Sequence, residues 1–185
     1  RLAYRLINIK RYKIQQFPHD VNGVLSTYAY VHKVSVLITF ATIYMHVHRS
    51  IPDTFRFTRA VLTIGTFDGV HKGHQRIINQ MLQAARKIDG ETVMITFDPH
   101  PREVLQAGSK QVPLLNTLPE KSALLALFGI DHLVIVPFTE AFAHMDAHEY
   151  VASFLLGKFH PHTIIIGYDH HFGAGRKGDY KLLEN

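Results

Sequence analysis

Four short apolar runs that alternate with stretches of helical periodicity constrain the fold of this 185-residue chain more than any other feature. Each run is rich in β-branched residues and nearly continuous, which is typical of a strand covered on both faces. Two of the helical stretches begin with a capping-box pattern and end at a glycine. The pattern predicts an α/β fold: a Rossmann-like, doubly wound parallel sheet made of right-handed βαβ units. The predicted strands are 60–65, 92–97, 132–138 and 162–167, and the predicted helices are 74–88, 117–129 and 146–157.

The net positive charge of the chain is concentrated near its start. Residues 1–44 contain six basic residues and one acidic residue, whereas residues 45–185 contain 14 of each. The main domain is therefore not predicted to bind nucleic acid. The chain has no cysteine, which excludes disulfides and thiolate metal sites. Its longest apolar run is too short, and too interrupted by Ser and Thr, to predict a membrane span.

Residues 1–44 also differ from the rest in pattern, because they show little periodicity and precede the first methionine, Met45. Three interpretations are open. The segment is a basic arm for nucleic acid or membrane, a native extension with little pattern, or non-native upstream sequence before a start at Met45. The predicted organisation is thus a basic N-terminal segment, 1–44, followed by one α/β domain, 45–185.

Three unusual sequences follow predicted strands: GTFDGVHKGH after the first, DPHPRE after the second and GYDHHFGAGRKGD after the fourth. In a parallel α/β sheet, ligands bind beyond the carboxyl ends of the strands. We therefore expect these three sequences to converge on one edge of the sheet and to form a single site there.

The first of these sequences combines a glycine turn with a pair of histidines, His71 and His74. Residues three apart lie on one face of a helix start, where free N–H groups and the helix dipole attract anions. Two imidazoles there can donate hydrogen bonds to phosphate oxygens as charge develops in a transition state. The arrangement suits attack on an α-phosphate with pyrophosphate as leaving group. A structural helix start and a zinc site are the alternatives, although no third zinc ligand lies nearby.

GTFDGVHKGH resembles the nucleotidyltransferase signature Gly/Thr-x-Phe-Asp-x-x-His-x-Gly-His of the α/β-phosphodiesterase superfamily. Three further stretches narrow the resemblance: TFDPHPREVL at 96–105, 114–143, and IIIGYDHHFGAGRKGD at 164–179. They are similar to the N-terminal FMN adenylyltransferase (FAD synthetase) domain of bacterial bifunctional riboflavin kinase/FAD synthetases. The resemblance covers residues 60–185. One departure is His170, where that family often has Phe.

The resemblance implies a cytoplasmic enzyme that transfers AMP from ATP to the phosphate of FMN, with Mg²⁺ bound to ATP and no metal ligand from the protein. Its expected partners are the small molecules ATP and FMN. His71 and His74 are the expected catalytic residues. The residues expected to bind ATP are Gly65, Thr66, Phe67, Asp68, Gly73, Asp169 and Arg176. Those expected to bind FMN are Pro99, His100, Pro101 and Arg102.

The chain ends at Asn185, before the Ile-Ser-Ser-Thr…Arg segment and the riboflavin kinase domain of that family. The sequence therefore predicts a domain truncated at its C-terminus, with an apolar edge left on the sheet. Two other functions stay open at this point. One is a non-catalytic remnant that binds nucleotide or flavin. The other is an adenylyl- or cytidylyltransferase for a different small phosphate ester.

Overall fold

The computed structural model describes residues 4–8, 15–16, 44–105, 113–167 and 169–184. Its centre is a seven-stranded sheet in the order β2-β1-β7-β4-β5-β6-β3. The five strands from β7 to β3 are parallel, and β1 and β2 add an antiparallel edge. The predicted parallel α/β sheet is confirmed. The strands are β1 (Tyr4–Asn8), β2 (Gln15–Gln16), β3 (His46–His48), β4 (Val61–Ile64), β5 (Thr92–Phe97), β6 (His132–Val136) and β7 (Thr163–Gly167).

Helices cover both faces of this sheet. The helices are α1 (Lys72–Ile88), α2 (Pro101–Leu105), α3 (Leu118–Leu127), α4 (Glu140–Ala143), α5 (Ala147–Glu149) and α6 (Tyr180–Glu184). A π-helical segment (Tyr150–Phe159) directly continues α5. Short 3₁₀ turns occur at Asp68–Val70 and Ala174–Arg176. No helix in the described part of the chain is both long and apolar enough to cross a membrane.

Two hydrophobic clusters, one on each face, explain why the strand sequences are apolar throughout. Alternate residues of a strand point to opposite faces, so Val61 packs in the cluster with Met81 of α1, whereas Leu62 packs in the other with Phe154. All four residues of β4 are buried. The prediction that both sheet faces are covered is therefore confirmed.

The helix boundaries follow their sequence signals at most positions. Thr117 and Glu120 form the predicted reciprocal capping box at the start of α3. Asp146 caps α5 by accepting a hydrogen bond from the His148 amide at 2.8 Å. The predicted stop at Gly157 is wrong, because the π-helical segment continues to Phe159. That extension buries Phe159 in the core, where its ring stacks on Phe57.

The strands at the two edges of the sheet were not predicted. His46–His48 forms β3 and pairs in parallel with β6, although the predicted pattern begins only at residue 60. At the opposite edge, β1 pairs antiparallel with β7 from Tyr4↔Gly167 to Asn8↔Thr163. The β7 side of the parallel strands is therefore paired with β1 through backbone hydrogen bonds. Residues 1–3, 9–14 and 17–43 of the basic segment lie outside the described residues, so its three interpretations stay predictions.

A histidine cluster, formed by His46, His48 and His132, joins β3 to β6. The Nε2 of His48 lies 3.0 Å from the Nδ1 of His132, within hydrogen-bonding distance. The rings of His46 and His132 stack with centroids 5.2 Å apart. Burial, and then His132, lower the pKa of His48 below its ordinary 6.5. Burial also lowers the pKa of His132, against a raising effect of Glu91. Both rings are therefore mainly neutral in the folded protein at pH 7.

Acid is expected to destabilise the fold through this cluster. Because the folded-state pKa values lie below 6.5, the unfolded chain binds more protons as the pH falls. The free energy of unfolding that the neutral histidines contribute is fully present above about pH 6.5 and is lost as the pH falls towards the folded pKa values. For each histidine the loss is at most about 1.4 kcal/mol per pH unit. Urea unfolding at pH 7.5, 6 and 5 measures this loss. A H48Q variant should lose less stability over the same range, and a pH-independent unfolding midpoint in the unsubstituted protein would contradict the prediction.

Candidate active site

The three sequences that follow β4, β5 and β7 meet at the carboxyl edge of the sheet, as predicted. They surround a cavity of about 500 Å³, a volume typical of small-molecule sites. The sequence-predicted residues that line the cavity are Gly65, Thr66, Phe67, His74, Pro101, Asp169 and Arg176. Those outside its lining are Asp68, His71, Gly73, Pro99, His100 and Arg102. The cavity is therefore lined by some, but not all, of the residues predicted for the site.

His71 and His74 stack on each other at the start of α1, with ring centroids 3.7 Å apart and planes 18° apart. His71 is the N-cap residue, and its Nδ1 accepts a hydrogen bond from the His74 amide at 3.4 Å. Gly73 lies between them in the first turn of the helix. On the other side, the Phe67 ring lies 5.0 Å from His74. The predicted common face of the two histidines is thus present, but only His74 reaches the cavity lining.

The electrostatic state of His74 follows from its surroundings. Burial, and then His71, lower its pKa to about 4. Its Nδ1 is buried and has no hydrogen-bond partner in the described part of the chain. His74 is therefore a neutral imidazole at pH 7 with one nitrogen unused by the protein. Such a group can donate a hydrogen bond from a neutral ring and can gain a proton as negative charge builds up beside it.

The turn that joins β4 to α1, residues 65–70, has an unusual backbone. Phe67, Gly69 and Val70 have φ values of 48°, 74° and 36°. Left-handed conformations are uncommon outside glycine, and a β-branched residue such as Val70 rarely adopts them. Phe67 is 2% exposed, packs in the hydrophobic core and borders the cavity. The turn is strained, a property that clusters at ligand-binding sites.

The carboxylate of Asp68 points away from the cavity. It accepts hydrogen bonds from the amides of Leu115, at 2.9 Å, and Asn116, at 3.1 Å. Although burial acts in the opposite direction, these hydrogen bonds hold the pKa of Asp68 below its ordinary value. In this structure Asp68 connects the turn to the start of α3. Asp68 therefore lies outside the cavity lining, and its contribution to ATP binding stays a prediction.

The loop after β7 forms the opposite wall. Asp169 and Arg176 are exposed at the cavity lining. A β-bridge between Phe172 and Gly178 closes the loop. The Ala174 amide donates a hydrogen bond to the Met145 carbonyl at 2.8 Å, which holds the loop against the residues just before α5. Phe172 is buried and stacks on Tyr150 with centroids 4.9 Å apart. The Phe172 ring therefore belongs to the hydrophobic core, although it also borders the cavity.

The loop after β5 carries the residues expected to bind FMN. Pro99 follows a cis peptide bond, and Pro101 begins α2 and lines the cavity. The Nδ1 of His100 accepts a hydrogen bond from the Arg102 amide at 3.1 Å. Burial, and then Arg102, lower the pKa of His100. The Arg102 side chain is exposed. Of these four residues, Pro101 is the one that lines the cavity.

Several residues of the site were not predicted. Phe97, Phe138 and Phe142 form an aromatic wall, in edge-to-face or tilted contacts with centroids 5.4 to 5.7 Å apart. His170 also lines the cavity, with its pKa lowered to about 4, chiefly by burial. Lys121 of α3 is buried directly behind the turn. A signal existed for Phe138 and Phe142, because PFTEAF, residues 137–142, begins at the end of the third predicted strand, at the same sheet edge.

Metal coordination by side chains is not supported within the described ranges. No group of three or more His, Asp or Glu residues there could hold a metal ion. His144 and His148, spaced as a possible metal pair, are both exposed, and the Nδ1 of His144 lies 2.8 Å from the Glu140 carbonyl, four residues earlier.

Comparison with known sequences gives a consistent assignment. A sequence model described as FAD synthetase matches residues 55–185. A bifunctional riboflavin kinase/FMN adenylyltransferase from Listeria monocytogenes is 36% identical over 143 residues, covering 77% of this chain and 44% of the relative. A putative enzyme of the same description from Geobacillus thermodenitrificans is 38% identical over 67% of this chain and 66% of the relative. The Escherichia coli K12 enzyme is 36% identical over 67% and 39%. The chain thus spans 39% to 66% of the length of these relatives.

A solved structure supports the fold independently. A crystal structure described as a macrolide-efflux protein from Streptococcus pneumoniae superposes with a TM-score of 0.64 at 24% identity. The match covers 77% of this chain and 48% of that chain. At this identity the similarity concerns the fold alone, and it agrees with the parallel α/β sheet described above.

Proposed function

The chain belongs to the FAD synthetase family, and from that premise we propose that it is an FMN adenylyltransferase. It transfers AMP from ATP to the phosphate of FMN, giving FAD and pyrophosphate, and it acts in the cytoplasm. The observation that carries the proposal is the position of His74. Stacked on His71 at the start of α1, it lines the same cavity as Arg176 and the aromatic wall.

The reaction brings two polyanions together. An oxygen of the FMN phosphate attacks the α-phosphorus of ATP, the bond from that phosphorus to the oxygen bridging to the β-phosphate breaks, and pyrophosphate leaves. Catalysis therefore requires groups that neutralise phosphate charge in the transition state. The start of α1 supplies N–H groups and a positive helix dipole. Arg176 supplies a cation from the opposite wall, and Mg²⁺ enters as MgATP.

His74 contributes a hydrogen bond rather than a permanent charge. Because its pKa is about 4 in the free protein, it meets ATP as a neutral imidazole. The negative charge of the phosphates raises that pKa, and the charge added in the transition state raises it further. The interaction is thus stronger in the transition state than in the ground state, which is the condition for catalysis. His71 stacks on the ring and fixes its orientation.

The other side of the cavity suits a flat apolar ring. The aromatic wall of Phe97, Phe138 and Phe142 borders the cavity together with Pro101. Edge-to-face and stacked contacts favour planar aromatic ligands, and the isoalloxazine of FMN is such a group. Pro99, His100 and Arg102 belong to the same loop as Pro101, and the exposed guanidinium of Arg102 is available to the FMN phosphate. Gly65, Thr66, Phe67, Gly73 and Asp169 complete the proposed ATP side.

Chromatographic detection of FAD from ATP, FMN and Mg²⁺ tests the proposal on the whole 185-residue chain. FAD and pyrophosphate should appear in equal amounts. Riboflavin in place of FMN is the matched control, because it has the ring but no phosphate nucleophile, and it should give no adenylylated product. Binding of ATP or FMN by calorimetry without FAD formation would favour the non-catalytic alternative. Product from CTP, or from another phosphate ester in preference to FMN, would favour the other transferases.

A further inference from the structure

Lys121 is a buried cation behind the strained turn. It lies on α3, 55 residues from Thr66 in the sequence, and is only 6% exposed. Burial lowers its pKa below the ordinary value, against the raising effects of Asp68 and Asp98. In the described ranges, no carboxylate lies within ion-pair distance of its ammonium group. A buried charge without a direct counter-ion is destabilising, so its presence calls for an explanation.

The hydrogen bonds of Lys121 point to that explanation. Its Nζ donates to the Thr66 carbonyl oxygen at 2.6 Å and lies 3.5 Å from the Thr96 hydroxyl. The Thr96 hydroxyl donates to the same carbonyl oxygen at 3.2 Å. Because the C=O and N–H of a trans peptide point in opposite directions, drawing the Thr66 carbonyl towards Lys121 turns the Phe67 N–H away from α3. Lys121 thereby sets the direction of a peptide that lines the cavity.

Other polar contacts hold the same turn. Asp68 accepts hydrogen bonds from Leu115 and Asn116, just before α3. The Gln75 side chain donates to the Val70 carbonyl at 3.0 Å. Each left-handed non-glycine residue costs about 1–3 kcal/mol and persists only when its surroundings over-determine it. Phe67 and Val70 both need such support. The contact of Lys121 differs from these two in two ways. Lys121 is a buried charged residue, and its partner, Thr66, lines the cavity.

We propose that Lys121 is a positioning residue for adenylyl transfer. It does not line the cavity. It holds the turn of residues 65–70 in the strained conformation that receives the ATP phosphates, through its hydrogen bond to the Thr66 carbonyl. The inference rests on the proposed FMN adenylyltransferase activity for its catalytic part, and on the geometry of the turn for its structural part.

The K121M variant separates positioning from general stability. Replacing a buried charged group by an apolar side chain of similar size is often neutral or stabilising, so the Tm should stay equal or rise. Misplacement of reacting groups by about 1 Å lowers rates by about 100-fold, so kcat for FAD formation should fall about 10- to 100-fold, with a smaller change in KM. K121R, which retains a donor, should recover part of the rate. K87M, at an exposed position at the far end of α1, is the matched control and should leave both rate and Tm unchanged.

A second readout does not depend on catalysis. Amide hydrogen exchange of the peptides covering 65–70 should be at least about tenfold faster in K121M than in the unsubstituted protein, because the turn has lost an anchor. If the unsubstituted chain forms no FAD, the proposed function fails while the exchange experiment still tests the role of Lys121. Unchanged exchange, or kcat within twofold in an active enzyme, would overturn the inference. A rate loss that is matched by a lower Tm in K121M would overturn it too, since that is the behaviour of a purely structural residue.

Discussion

Replacing His74 by alanine is expected to lower kcat for FAD formation by about 10²- to 10³-fold, the usual effect of removing one donor that stabilises transition-state charge. The ring occupies the point where three features meet: the positive start of α1, the strained turn and the cavity. Its interaction with the phosphates strengthens as charge develops, so the loss should appear in kcat more than in KM. Steady-state kinetics with ATP varied at saturating FMN measures both parameters.

A matched control and a pH profile sharpen this prediction. H144A removes an exposed histidine that does not line the cavity and whose Nδ1 lies 2.8 Å from the Glu140 carbonyl, and activity should be unchanged. Since the pKa of His74 is about 4, kcat/KM should show no inflection from His74 between pH 6 and 8. An H74A enzyme with more than a tenth of the original kcat would contradict the assigned role. So would a kcat/KM that rises with protonation near pH 6.5 and loses that rise in H74A.

The central layers of the fold could be predicted because local and global signals agree there. The strands β4, β5, β6 and β7 are buried on both faces, so continuous β-branched runs mark them without ambiguity. The capping box of Thr117 and Glu120 and the left-handed Gly129 fix the limits of α3. Convergence of the loops on one edge then follows from the topology of a parallel sheet. These features depend on periodicity and on general rules, which a single sequence contains.

The missed features depend on tertiary contacts that have no local pattern. β3 is three residues long and contains two histidines, so neither its length nor its composition indicates a strand. Lys121 follows a capping glutamate, and nothing in the local sequence distinguishes it from an exposed lysine. In the structure its ammonium group contacts Thr66, 55 residues away in the sequence. Gly157 signals a helix end, but burial of Phe159 outweighs that signal. The cavity lining likewise depends on side-chain packing, which is why Asp68 and His71 lie outside it.

Gly173 is expected to be the most sensitive position of the loop that carries Asp169 and Arg176. Its φ is 71°, in the region that favours glycine, and an added Cβ would lie 2.7 Å from the Ala147 Cα at the start of α5. Neither strain can be relieved by a side-chain rotation, because the obstructing atoms are the backbone and the Cβ of Ala147, which do not rotate. G173A should therefore displace the loop from α5, move the Arg176 guanidinium away from the cavity and lower kcat/KM for ATP by about 10- to 100-fold.

Gly175 provides the matched control because it shares the backbone conformation without the obstruction. Its φ is 62°, and an added Cβ would meet nothing closer than Lys177 at 3.9 Å. G175A should thus cost only the conformational preference of glycine, about 1 kcal/mol, and kcat/KM should stay within about fivefold of the original. The two variants have the same change of volume in the same loop, so their difference isolates the contact with Ala147. Equal activities in G173A and G175A would show that docking of this loop on α5 does not position Arg176. A large loss confined to G173A, with a Tm close to that of G175A, is the result expected if the docked loop forms the ATP side of the site.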